Sequence, residues 1–391
     1  MHFNCTSLNQ FMSFTNLGLP QTLVAALAEQ EYQTAYPIQA AAIPAILDRK
    51  NILGIAKTGS GKTASFVLPI LANLQGNIFT KNRHPLVLVL VPTRELAVQV
   101  NEVFQVFSNA LPERIKTLAV YGGVSINPQM MAMNGVQVLI ATPGRLLDLI
   151  NSKAVHLSNL KTLVLDEADK MLNMGFKEEM NQLLELLPKK RQNLLFSATL
   201  SPDLDSLSTI LMKDPVVIKI ETEETDIDLI QQSGYFVPDE KKGPLLRYLI
   251  KTNDLKQVLV FTSSSYKADN VANKLRKNGV NAAAIHGKKS QSARNNALNQ
   301  FKAGKLPVLV ATDLLSRGID IAFLPCVINY ELPRSPKDYI HRIGRTGRAE
   351  NAGVAISFVN PESVQHFKVI LKKGKQWIDM IDSSTLDLQG Y

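Results

Sequence analysis

Residues 56–63 read AKTGSGKT, and the fold of the first half of the chain can be predicted from this segment and its flanks. The short apolar run at 51–55 predicts a β-strand before it, and apolar residues at helical spacing follow it from 62 to 74. A strand, a glycine-rich turn and a helix in this order form a phosphate cradle, because backbone N–H groups and the helix N-terminus converge on one anion. The stretch therefore predicts a nucleotide-binding turn.

Individual residues of this turn have definite chemical uses in a phosphate cradle. Lys62 is long enough to reach the β- and γ-phosphates, and the Thr63 hydroxyl is placed to ligate Mg²⁺. Gly59 and Gly61 leave the backbone free to approach phosphate oxygens. Position 56 is Ala where the generic pattern has Gly, so the match depends on Gly61, Lys62 and Thr63. The alternative is a glycine-rich connection that binds nothing, which the flanking strand and helix disfavour.

Four further apolar runs are each followed by a polar cluster. The runs at 86–91, 136–140, 163–165 and 194–196 lead into PTRE, TPGR, DEAD and SAT. Helical stretches separate these runs, so the alternation predicts a buried parallel sheet with right-handed crossovers. Ligands of such sheets bind beyond the carboxyl ends of the strands. All five polar clusters, counting AKTGSGKT, are expected at that edge.

The alternation stops at an acidic stretch around 221–228, which predicts a linker, and then restarts. Strand candidates of the second half lie at 258–261, 282–285, 308–310, 327–329 and 355–358. This half has no lysine-bearing phosphate loop but has a run of arginines, namely Arg294, Arg317, Arg342, Arg345 and Arg348. A cradle in one half and arginines in the other suggest a site that is completed only when the halves close.

The overall composition limits the classes of function. Hydrophobic residues make up 45% and charged residues 20%, as in ordinary globular proteins, and the formal net charge of +9 favours a polyanionic partner. Cys5 and Cys326 predict no disulfide framework, and the six scattered histidines predict no structural metal site. The apolar runs are too short to cross a bilayer, and residues 1–13 lack a signal-peptide pattern. A cytoplasmic location and no membrane partner are expected.

Two clusters have the chemistry of phosphoryl transfer. Asp166 and Glu167 follow a strand directly, where one carboxylate can hold Mg²⁺ and the other can polarise water for attack on the γ-phosphate. The alternative is an acidic surface turn. Arg342, Arg345 and Arg348 recur in HRIGRTGR, and the guanidinium fork suits phosphate. The alternative there is a solvated basic run, which the embedded glycines disfavour.

Two further features are weaker on their own. Tyr32 and Gln39 place an aromatic ring and an amide near the phosphate turn, where they suit an adenine, although packing is the commoner use of such residues. Near the C-terminus, Lys372, Lys373 and Lys375 lie beside Trp377. Basic residues next to an aromatic could contact RNA, but a helix end with lysine stems covering the core is the commoner arrangement.

The motifs, taken together and in order, resemble those of the DEAD-box RNA helicases. The set is AKTGSGKT, PTREL, TPGR, DEAD, SAT, ATDLLSRGID and HRIGRTGR, between Phe14 and about Val359. GGVSINPQMM and the short flanks are most similar to the bacterial RhlE-like group. The resemblance implies an α/β protein of two tandem RecA-like domains, each a mainly parallel sheet flanked by helices, joined by a flexible linker.

The resemblance also implies a division of the chain. We expect a flexible N-terminal extension at 1–13, a first domain that binds ATP at 14–217, a linker at 218–228, a second domain at 229–372 and a short tail at 373–391. The departures from the family pattern are modest. Glu31, Ala35 and Tyr36 replace the usual Gly, Pro and Thr, which predicts a less rigid loop before Gln39. Lys57 replaces a commoner Gln.

For the nucleotide site, the implied cofactors are ATP and Mg²⁺. Tyr32 would stack on adenine, Gln39 would bond its edge, and Asp320 would meet the ribose. The phosphates and the metal would be held by Thr58, Gly59, Ser60, Gly61, Lys62, Thr63 and Asp166. Glu167 would activate the attacking water, and Arg345 and Arg348 would reach the γ-phosphate from the second domain. Asp169, Ser197, Thr199, His341 and Arg342 would couple hydrolysis to motion between the domains.

For RNA, the resemblance implies contacts on both domains, mostly to phosphates and 2′-hydroxyls, so binding should be sequence-tolerant and salt-dependent. The residues implied are Thr93, Arg94, Gly122, Gly123, Thr142, Gly144 and Arg145 on the first domain, and Phe261, Arg294, Thr312 and Gly318 on the second.

The expected activity is RNA-stimulated ATP hydrolysis coupled to local, non-processive unwinding of short RNA duplexes or to ribonucleoprotein remodelling. The alternatives are an ATP-gated RNA clamp with little unwinding and a DNA translocase. Ribosome-assembly or RNA-decay proteins are the protein partners that such an activity suggests.

Overall fold

The computed structural model describes residues 2–4, 12–57, 59–76, 82–220, 230–313, 324–347, 353–374 and 376–391. Four of the predicted site residues lie outside this part of the chain, namely Thr58, Gly318, Asp320 and Arg348. The chain divides into two compact units, Met1–Thr222 and Glu223–Tyr391. Each unit has a parallel sheet with helices, which confirms the predicted fold class.

The first unit is built on an eight-stranded sheet in which the paired strands are parallel. Its strands are β1 (His2–Asn4), β2 (Ile52–Ile55), β3 (Val87–Leu90), β4 (Thr117–Val120), β5 (Val138–Ala141), β6 (Thr162–Leu165), β7 (Gln192–Ser197) and β8 (Val216–Lys219), in the spatial order β1-β8-β2-β7-β6-β3-β5-β4. Its helices are α1 (Gln21–Glu29), α2 (Pro37–Leu47), α3 (Lys62–Leu74), α4 (Arg94–Ser108), α5 (Asn127–Ala132), α6 (Pro143–Asn151), α7 (Ala168–Asn173), α8 (Lys177–Glu185) and α9 (Pro202–Leu211).

The central strands of this sheet are buried on both faces. Val87 and Val89 of β3 belong to one hydrophobic core, and Leu88 and Leu90 belong to the core on the opposite face. Because successive side chains of a strand point to opposite faces, such a strand has to be apolar at every position. This explains why the continuous apolar runs of the sequence are the central strands.

The second unit is built on a seven-stranded sheet, again with parallel pairs. Its strands are β9 (Ile230–Phe236), β10 (Val258–Thr262), β11 (Ala282–Ile285), β12 (Val308–Thr312), β13 (Cys326–Asn329), β14 (Gly353–Val359) and β15 (Asp379–Asp382), in the order β11-β12-β10-β13-β14-β9-β15. Its helices among the described residues are α10 (Lys242–Thr252), α11 (Ser265–Lys277), α12 (Gln291–Lys302), α13 (Pro336–Ile343) and α14 (Val364–Gly374).

Several strands lie where the sequence predicted none. β4, β8 and β15 are four residues long and partly exposed, so they lack the continuous apolar run that marks a central strand. β15 lies within the stretch expected to be a tail and pairs with β9. β1 lies within the expected flexible extension and pairs with β8, which itself runs past the expected start of the linker at 218. These segments are ordered by backbone pairing with a neighbouring strand.

The strand order brings the polar clusters of the first unit to one edge. AKTGSGKT follows β2, SAT ends β7, DEAD follows β6, PTRE follows β3, TPGR follows β5, and the pair Gly122–Gly123 follows β4. Since these strands are parallel neighbours, the clusters form a row along the carboxyl edge in that order. The phosphate turn and the DEAD residues are separated only by SAT, and all of these clusters lie at one shared edge, as predicted.

Candidate functional site

The phosphate turn holds its own lysine. Lys62 is buried, and its Nζ donates hydrogen bonds to the carbonyl oxygens of Ala56 at 2.5 Å and Lys57 at 2.9 Å. Ser60 Oγ donates to the same Lys57 carbonyl at 2.8 Å. Gly61 is the N-cap of α3 and has a left-handed backbone with φ of 86°. The ammonium group is therefore held next to a helix N-terminus by neutral carbonyl acceptors. Phosphate oxygens can replace these carbonyl oxygens as its acceptors.

Two carboxylates share this environment with Lys62. Burial lowers the pKa of Lys62, and the charges of Asp166 and Glu167 oppose that shift. The pKa of Asp166 is raised to about 7, first by burial and then by repulsion from Glu167, while Lys62 and Lys170 act in the opposite direction. Two buried carboxylates side by side favour a bound cation or a proton. The donor set thus fits the Mg²⁺ that the DEAD residues predict.

Glu167 combines a left-handed backbone with a buried, ion-paired side chain. Its backbone lies in the left-handed region, with φ of 55° and ψ of 45°, at the N-cap of α7. Lys170 Nζ donates to Glu167 Oε1 at 2.6 Å, and both side chains are buried. Glu167 Oε2 is buried and has no hydrogen-bond partner among the described residues. A buried carboxylate oxygen without a partner is costly, and it is available to accept a hydrogen bond from a water molecule or a ligand.

Of the two residues predicted to bind adenine, Gln39 contacts the phosphate turn and Tyr32 contacts the first core. Gln39 is fully buried, and its Nε2 donates to the Gly61 carbonyl at 3.2 Å, while the Tyr36 backbone N–H donates to Gln39 Oε1 at 2.9 Å. Gln39 is thus bonded to the phosphate turn itself. Tyr32 is half-buried and makes edge-on ring contacts with Phe14 and Phe107, with centroid distances of 6.4 and 5.8 Å. The ring therefore belongs to the packing of the first core.

The SAT and DEAD clusters are joined by hydrogen bonds. Thr199 Oγ1 donates to Asp169 Oδ2 at 2.8 Å. Ser197 Oγ donates to the Thr199 carbonyl at 2.9 Å and accepts from the Thr199 N–H at 3.4 Å. Asp169 Oδ1 also accepts from the Lys170 N–H at 3.0 Å. The ends of β6 and β7 are consequently one hydrogen-bonded unit that adjoins the phosphate turn.

On the predicted RNA side of the first unit, the PTRE loop contacts the glycine pair. Thr93 is the N-cap of α4 and accepts from the Leu96 N–H at 3.3 Å. A Cβ atom at Gly123 would lie 2.5 Å from Arg94 Nη1, so the guanidinium lies directly against the loop after β4. Gly123 also has a left-handed backbone with φ of 79°. The left-handed backbone favours glycine there, and a larger residue would also have to displace the Arg94 guanidinium.

The TPGR cluster contacts the same loop. Arg145 is nearly buried, and its Nη2 donates to the Val124 carbonyl at 2.9 Å while its Nε contacts Asp148 Oδ2 at 3.3 Å. Arg145 Nη1 is buried without a hydrogen-bond partner among the described residues. Thr142 is nearly buried, whereas a Cβ atom at Gly122 or Gly144 would meet open space. The structure thus brings together all seven RNA residues predicted for this unit.

In the second unit, Arg342 is bound inside the fold. It is 2% exposed, and it forms a bidentate ion pair with Asp313 at 2.6 and 2.8 Å. Its Nη1 donates to Asn329 Oδ1 at 3.1 Å and to the Glu331 carbonyl at 2.6 Å. The guanidinium lies 4.8 Å from the centroid of the Phe261 ring. Arg342 therefore connects α13 to the carboxyl ends of β10, β12 and β13.

This network limits the part that Phe261 can play. The Phe261 side chain is fully buried, so its ring has no surface to offer an RNA, and any contact there has to come from its backbone. Arg294 is also nearly buried, and its Nη2 donates to Gln291 Oε1 at 2.6 Å. Thr312 and His341 are half-buried, and Arg345 is nearly buried directly after α13.

Three residues of these networks were not predicted from the sequence. Lys170 pairs with Glu167, and its spacing of three residues on one helix is a signal that could have been used. Asp313 and Asn329 bind Arg342 from distant strands. Asp313 lies within ATDLLSRGID, but no pattern in the sequence pairs it with an arginine 29 residues away.

No helix among the described ranges has both the length and the apolar character needed to span a membrane.

Comparison with known proteins gives the family of the chain. The family description DEAD/DEAH box helicase matches residues 36–207, and helicase conserved C-terminal domain matches 241–350. The chain is 40% identical over 362 residues to the ATP-dependent RNA helicase CshA of Limosilactobacillus reuteri, covering 92% of this chain and 72% of that protein. It is 42% identical over 349 residues to the ATP-dependent RNA helicase DeaD of Buchnera aphidicola, covering 89% and 57%.

Solved structures give the same result. S. cerevisiae Dbp5 bound to RNA and ADP BeF3 matches with a TM-score of 0.81 and 31% identity, covering 95% of each chain. A DEAD box protein from Methanococcus jannaschii matches with a TM-score of 0.53 and 37% identity, covering 95% of this chain and 99% of that one. The names CshA and DeaD do not support the RhlE-like group that GGVSINPQMM suggested. The chain belongs to the DEAD-box family of ATP-dependent RNA helicases.

Proposed function

We propose that this helicase couples RNA-stimulated ATP hydrolysis to local, non-processive separation of short RNA duplexes or to ribonucleoprotein remodelling. The observation that carries the proposal is the buried, unpartnered Glu167 Oε2 beside Asp166 and Lys62. An oxygen in that position can orient a water molecule for attack on a phosphate bound by Lys62. Lys170, bonded to Oε1, would hold the carboxylate in place.

Nucleotide binding would change the partners of Lys62. Its ammonium is bonded to the carbonyls of Ala56 and Lys57, and the oxygens of the β- and γ-phosphates would replace those carbonyls as acceptors. Thr63 and, through water, Asp166 would hold Mg²⁺, which neutralises phosphate charge when bound. Tyr32, Gln39 and Asp320 would recognise the nucleoside. Dbp5, similar to this chain, was solved with RNA and ADP BeF3, which supports the use of both ligands.

The second domain would complete the reaction. Arg345, and Arg348 beyond the described residues, would neutralise the γ-phosphate, and His341 and Arg342 would hold their segment in place. ATP and RNA would each favour the closed pair of domains, since a ligand acts only through its different affinity for the two states. As part of this proposal, the linker expected at 218–228 begins only after β8 ends at Lys219, and the second domain expected at 229–372 extends through β15.

The relatives support an assignment to a group within the family. The identity of about 40% to CshA and DeaD supports a place near those proteins rather than in the RhlE-like group. RNA would be bound without strong sequence preference, through the residues predicted above. A cytoplasmic location and ribosome-assembly or RNA-decay partners fit an RNA helicase of this kind.

The test uses Glu167→Gln, which keeps the size of the side chain and removes the base. We expect RNA-stimulated ATP turnover to fall by about 100-fold or more, while the retention of RNA with a non-hydrolysable ATP analogue persists. Glu178→Gln, on the exposed face of α8, is the matched control and should turn over ATP normally. Normal turnover in Glu167→Gln would show that Glu167 is not the base.

A strand-displacement assay separates the two forms of the activity. We expect the wild type to separate short RNA duplexes in the presence of ATP, and longer duplexes much less. ATP-dependent retention of RNA without any strand displacement would instead favour the RNA clamp. Equal stimulation of ATP turnover by single-stranded RNA and DNA of the same length would favour the DNA translocase.

A further inference from the structure

The single tryptophan of the chain is almost entirely in solvent. Trp377 is 95% exposed, the largest exposed fraction among the large hydrophobic side chains of the described residues. It lies just beyond the C-terminal end of α14 and two residues before β15. Full exposure of an indole ring gives up burial that would otherwise stabilise the fold by about 2 kcal/mol or more. The ring therefore contributes little to the core of the second unit.

Exposed lysines precede Trp377 on α14. Phe367 and Ile370 are the side chains of this helix that pack into the core. Lys368, Lys372 and Lys373 are all exposed, and Lys368 and Lys372 lie one helical turn apart. These lysines therefore belong to the solvent-facing side of α14. We name Lys368, Lys372, Lys373 and Trp377 the Trp377 patch.

Trp377 lies away from the motif residues at the carboxyl end of β12. Because the strands of this sheet run parallel, residues that precede a strand lie at the amino edge. Trp377 precedes β15, so it lies at the amino edge, whereas Thr312 at the end of β12 lies at the carboxyl edge. Trp377 is therefore on the opposite edge from Thr312, while the end of α14 lies near α13, since a Cβ atom at Gly374 would lie 3.9 Å from Ile340.

We propose that the Trp377 patch is a second, ATP-independent binding site for single-stranded RNA, in which the indole stacks on a base and the lysines contact flanking phosphates. An exposed aromatic ring with lysines beside it is the composition of single-strand platforms, and stacking on any base makes such a site sequence-tolerant. Lysine is depleted from the centres of protein–protein interfaces, which argues against a protein occupant. The proposal extends the function above by giving the helicase a hold on RNA when ATP is absent.

The intrinsic fluorescence of the chain tests this directly, since Trp377 is the only tryptophan. The full-length protein is titrated with a fluorescein-labelled uridine decamer without nucleotide, and RNA binding is measured in parallel by anisotropy of the label. We expect saturable quenching of the tryptophan emission. Lys368→Gln/Lys372→Gln/Lys373→Gln should raise the half-saturating RNA concentration for quenching, and should reduce the salt dependence of log K by about 2, or 0.7 for each phosphate contact.

A matched triple, Lys274→Gln/Lys277→Gln/Lys302→Gln, removes the same charge from exposed lysines of α11 and α12 and should leave the quenching curve unchanged. Trp377→Ala should weaken RNA binding without nucleotide by about 5-fold to 150-fold, the range for losing one stacked base. Circular dichroism verifies that each variant is folded.

The outcomes separate the proposals. Unchanged tryptophan emission when anisotropy shows that RNA is bound would overturn the second site and leave this face for a protein partner. So would a quenching curve that both lysine triples shift equally. Failure of the decamer to bind at all, with or without ATP analogue, would instead contradict the proposed RNA helicase function.

Discussion

The hydroxyl of Thr199 donates a hydrogen bond to the carboxylate of Asp169, with 2.8 Å between Oγ1 and Oδ2. The two residues are 30 positions apart in the sequence, and the bond ties the last residue of SAT to the last residue of DEAD. Asp169 is buried, so its carboxylate depends on this donor and on the Lys170 N–H. This bond connects the strand beside the phosphate turn to the residues predicted to carry out hydrolysis.

Removing this bond should uncouple strand separation from ATP turnover. Thr199→Val keeps the shape of the side chain but leaves Asp169 Oδ2 without its donor, which should cost about 1–3 kcal/mol locally. We expect strand displacement per ATP hydrolysed to fall by about 5-fold to 150-fold, the range of a typical coupling free energy. The measurement compares displacement of a short RNA duplex with RNA-stimulated phosphate release.

Thr209→Val is the control for Thr199→Val. Thr209 lies on an exposed part of α9, where its hydroxyl donates only to the Asp205 carbonyl of its own helix. Thr209→Val should change neither strand displacement nor phosphate release. Equal losses of turnover and displacement in Thr199→Val would contradict a coupling role.

Gly61→Ala should damage the nucleotide site through a steric clash. A Cβ atom at Gly61 would lie 2.5 Å from Gln39 Nε2 and 2.9 Å from a ring carbon of Tyr36, and φ there is +86°. The fully buried Gln39 would have to move away from the turn. We expect ATP affinity to fall at least about tenfold, equivalent to about 1.4 kcal/mol. The measurement is the titration of a fluorescent ATP analogue.

Gly135→Ala isolates the steric part of that effect. Gly135 has a similar φ of +76°, but nothing lies within 4 Å of its added Cβ. Gly135→Ala should lose about 1–2 kcal/mol of stability, because alanine disfavours the left-handed backbone. It should bind ATP normally. The clash is ruled out as the cause if both alanine variants lose ATP affinity equally.

The stability of the ligand-free protein should fall as pH rises through the titration of Asp166. The folded pKa of Asp166 is about 7, against a usual value of 3.8, because its charged form is buried beside Glu167. The folded state therefore binds the extra proton, and the stability this provides is present below about pH 4 and is lost as the pH rises through 7.

Asp166→Asn resembles the neutral form at every pH and retains an oxygen to accept from the Glu167 N–H, a bond of 2.9 Å in the wild type. Its free energy of unfolding should match that of the wild type near pH 4 and exceed it at pH 8 by about 1–4 kcal/mol. Urea unfolding in EDTA without nucleotide measures this difference. A difference that is constant between pH 4 and pH 8 would show that the carboxylate of Asp166 does not titrate in this way.

Arg342→Lys should destabilise the second unit even though the charge is kept. A lysine cannot reproduce the bidentate pair with Asp313 together with the bonds to Asn329 and the Glu331 carbonyl. The loss of a hydrogen bond to a charged group costs about 1.5–3 kcal/mol. We expect a lower thermal midpoint for unfolding of the second unit. Circular dichroism measures this midpoint.

Arg276→Lys serves as the comparison for Arg342→Lys, because Arg276 is exposed on α11 and donates to the Ala282 carbonyl. It should change the free energy of unfolding by less than about 1 kcal/mol. Similar midpoints for the two variants would contradict a structural role for the Arg342 network.

The motifs and central strands could be predicted because they depend on local sequence. AKTGSGKT needs only its flanking strand and helix to be recognised, and strands such as β3 are apolar at every position because both faces are buried. Once the strands are known to be parallel, the polar clusters have to share one edge. The order of strands along that edge, and hence the proximity of SAT to the phosphate turn, could not be obtained this way.

The remaining features depend on partners that are distant in the sequence. β15 is half-exposed and forms only because β9 is there to pair with it. Arg342 was predicted as a coupling residue, yet its position is set by Asp313 and by the buried ring of Phe261. Which side chains are buried together is a property of the assembled fold, because no local pattern specifies a contact between strands that are 30 or more residues apart. The chemistry of the helicase motifs follows from their residue types and spacing, whereas folding brings distant residues together and so sets which atoms of those motifs are held and which can meet a ligand.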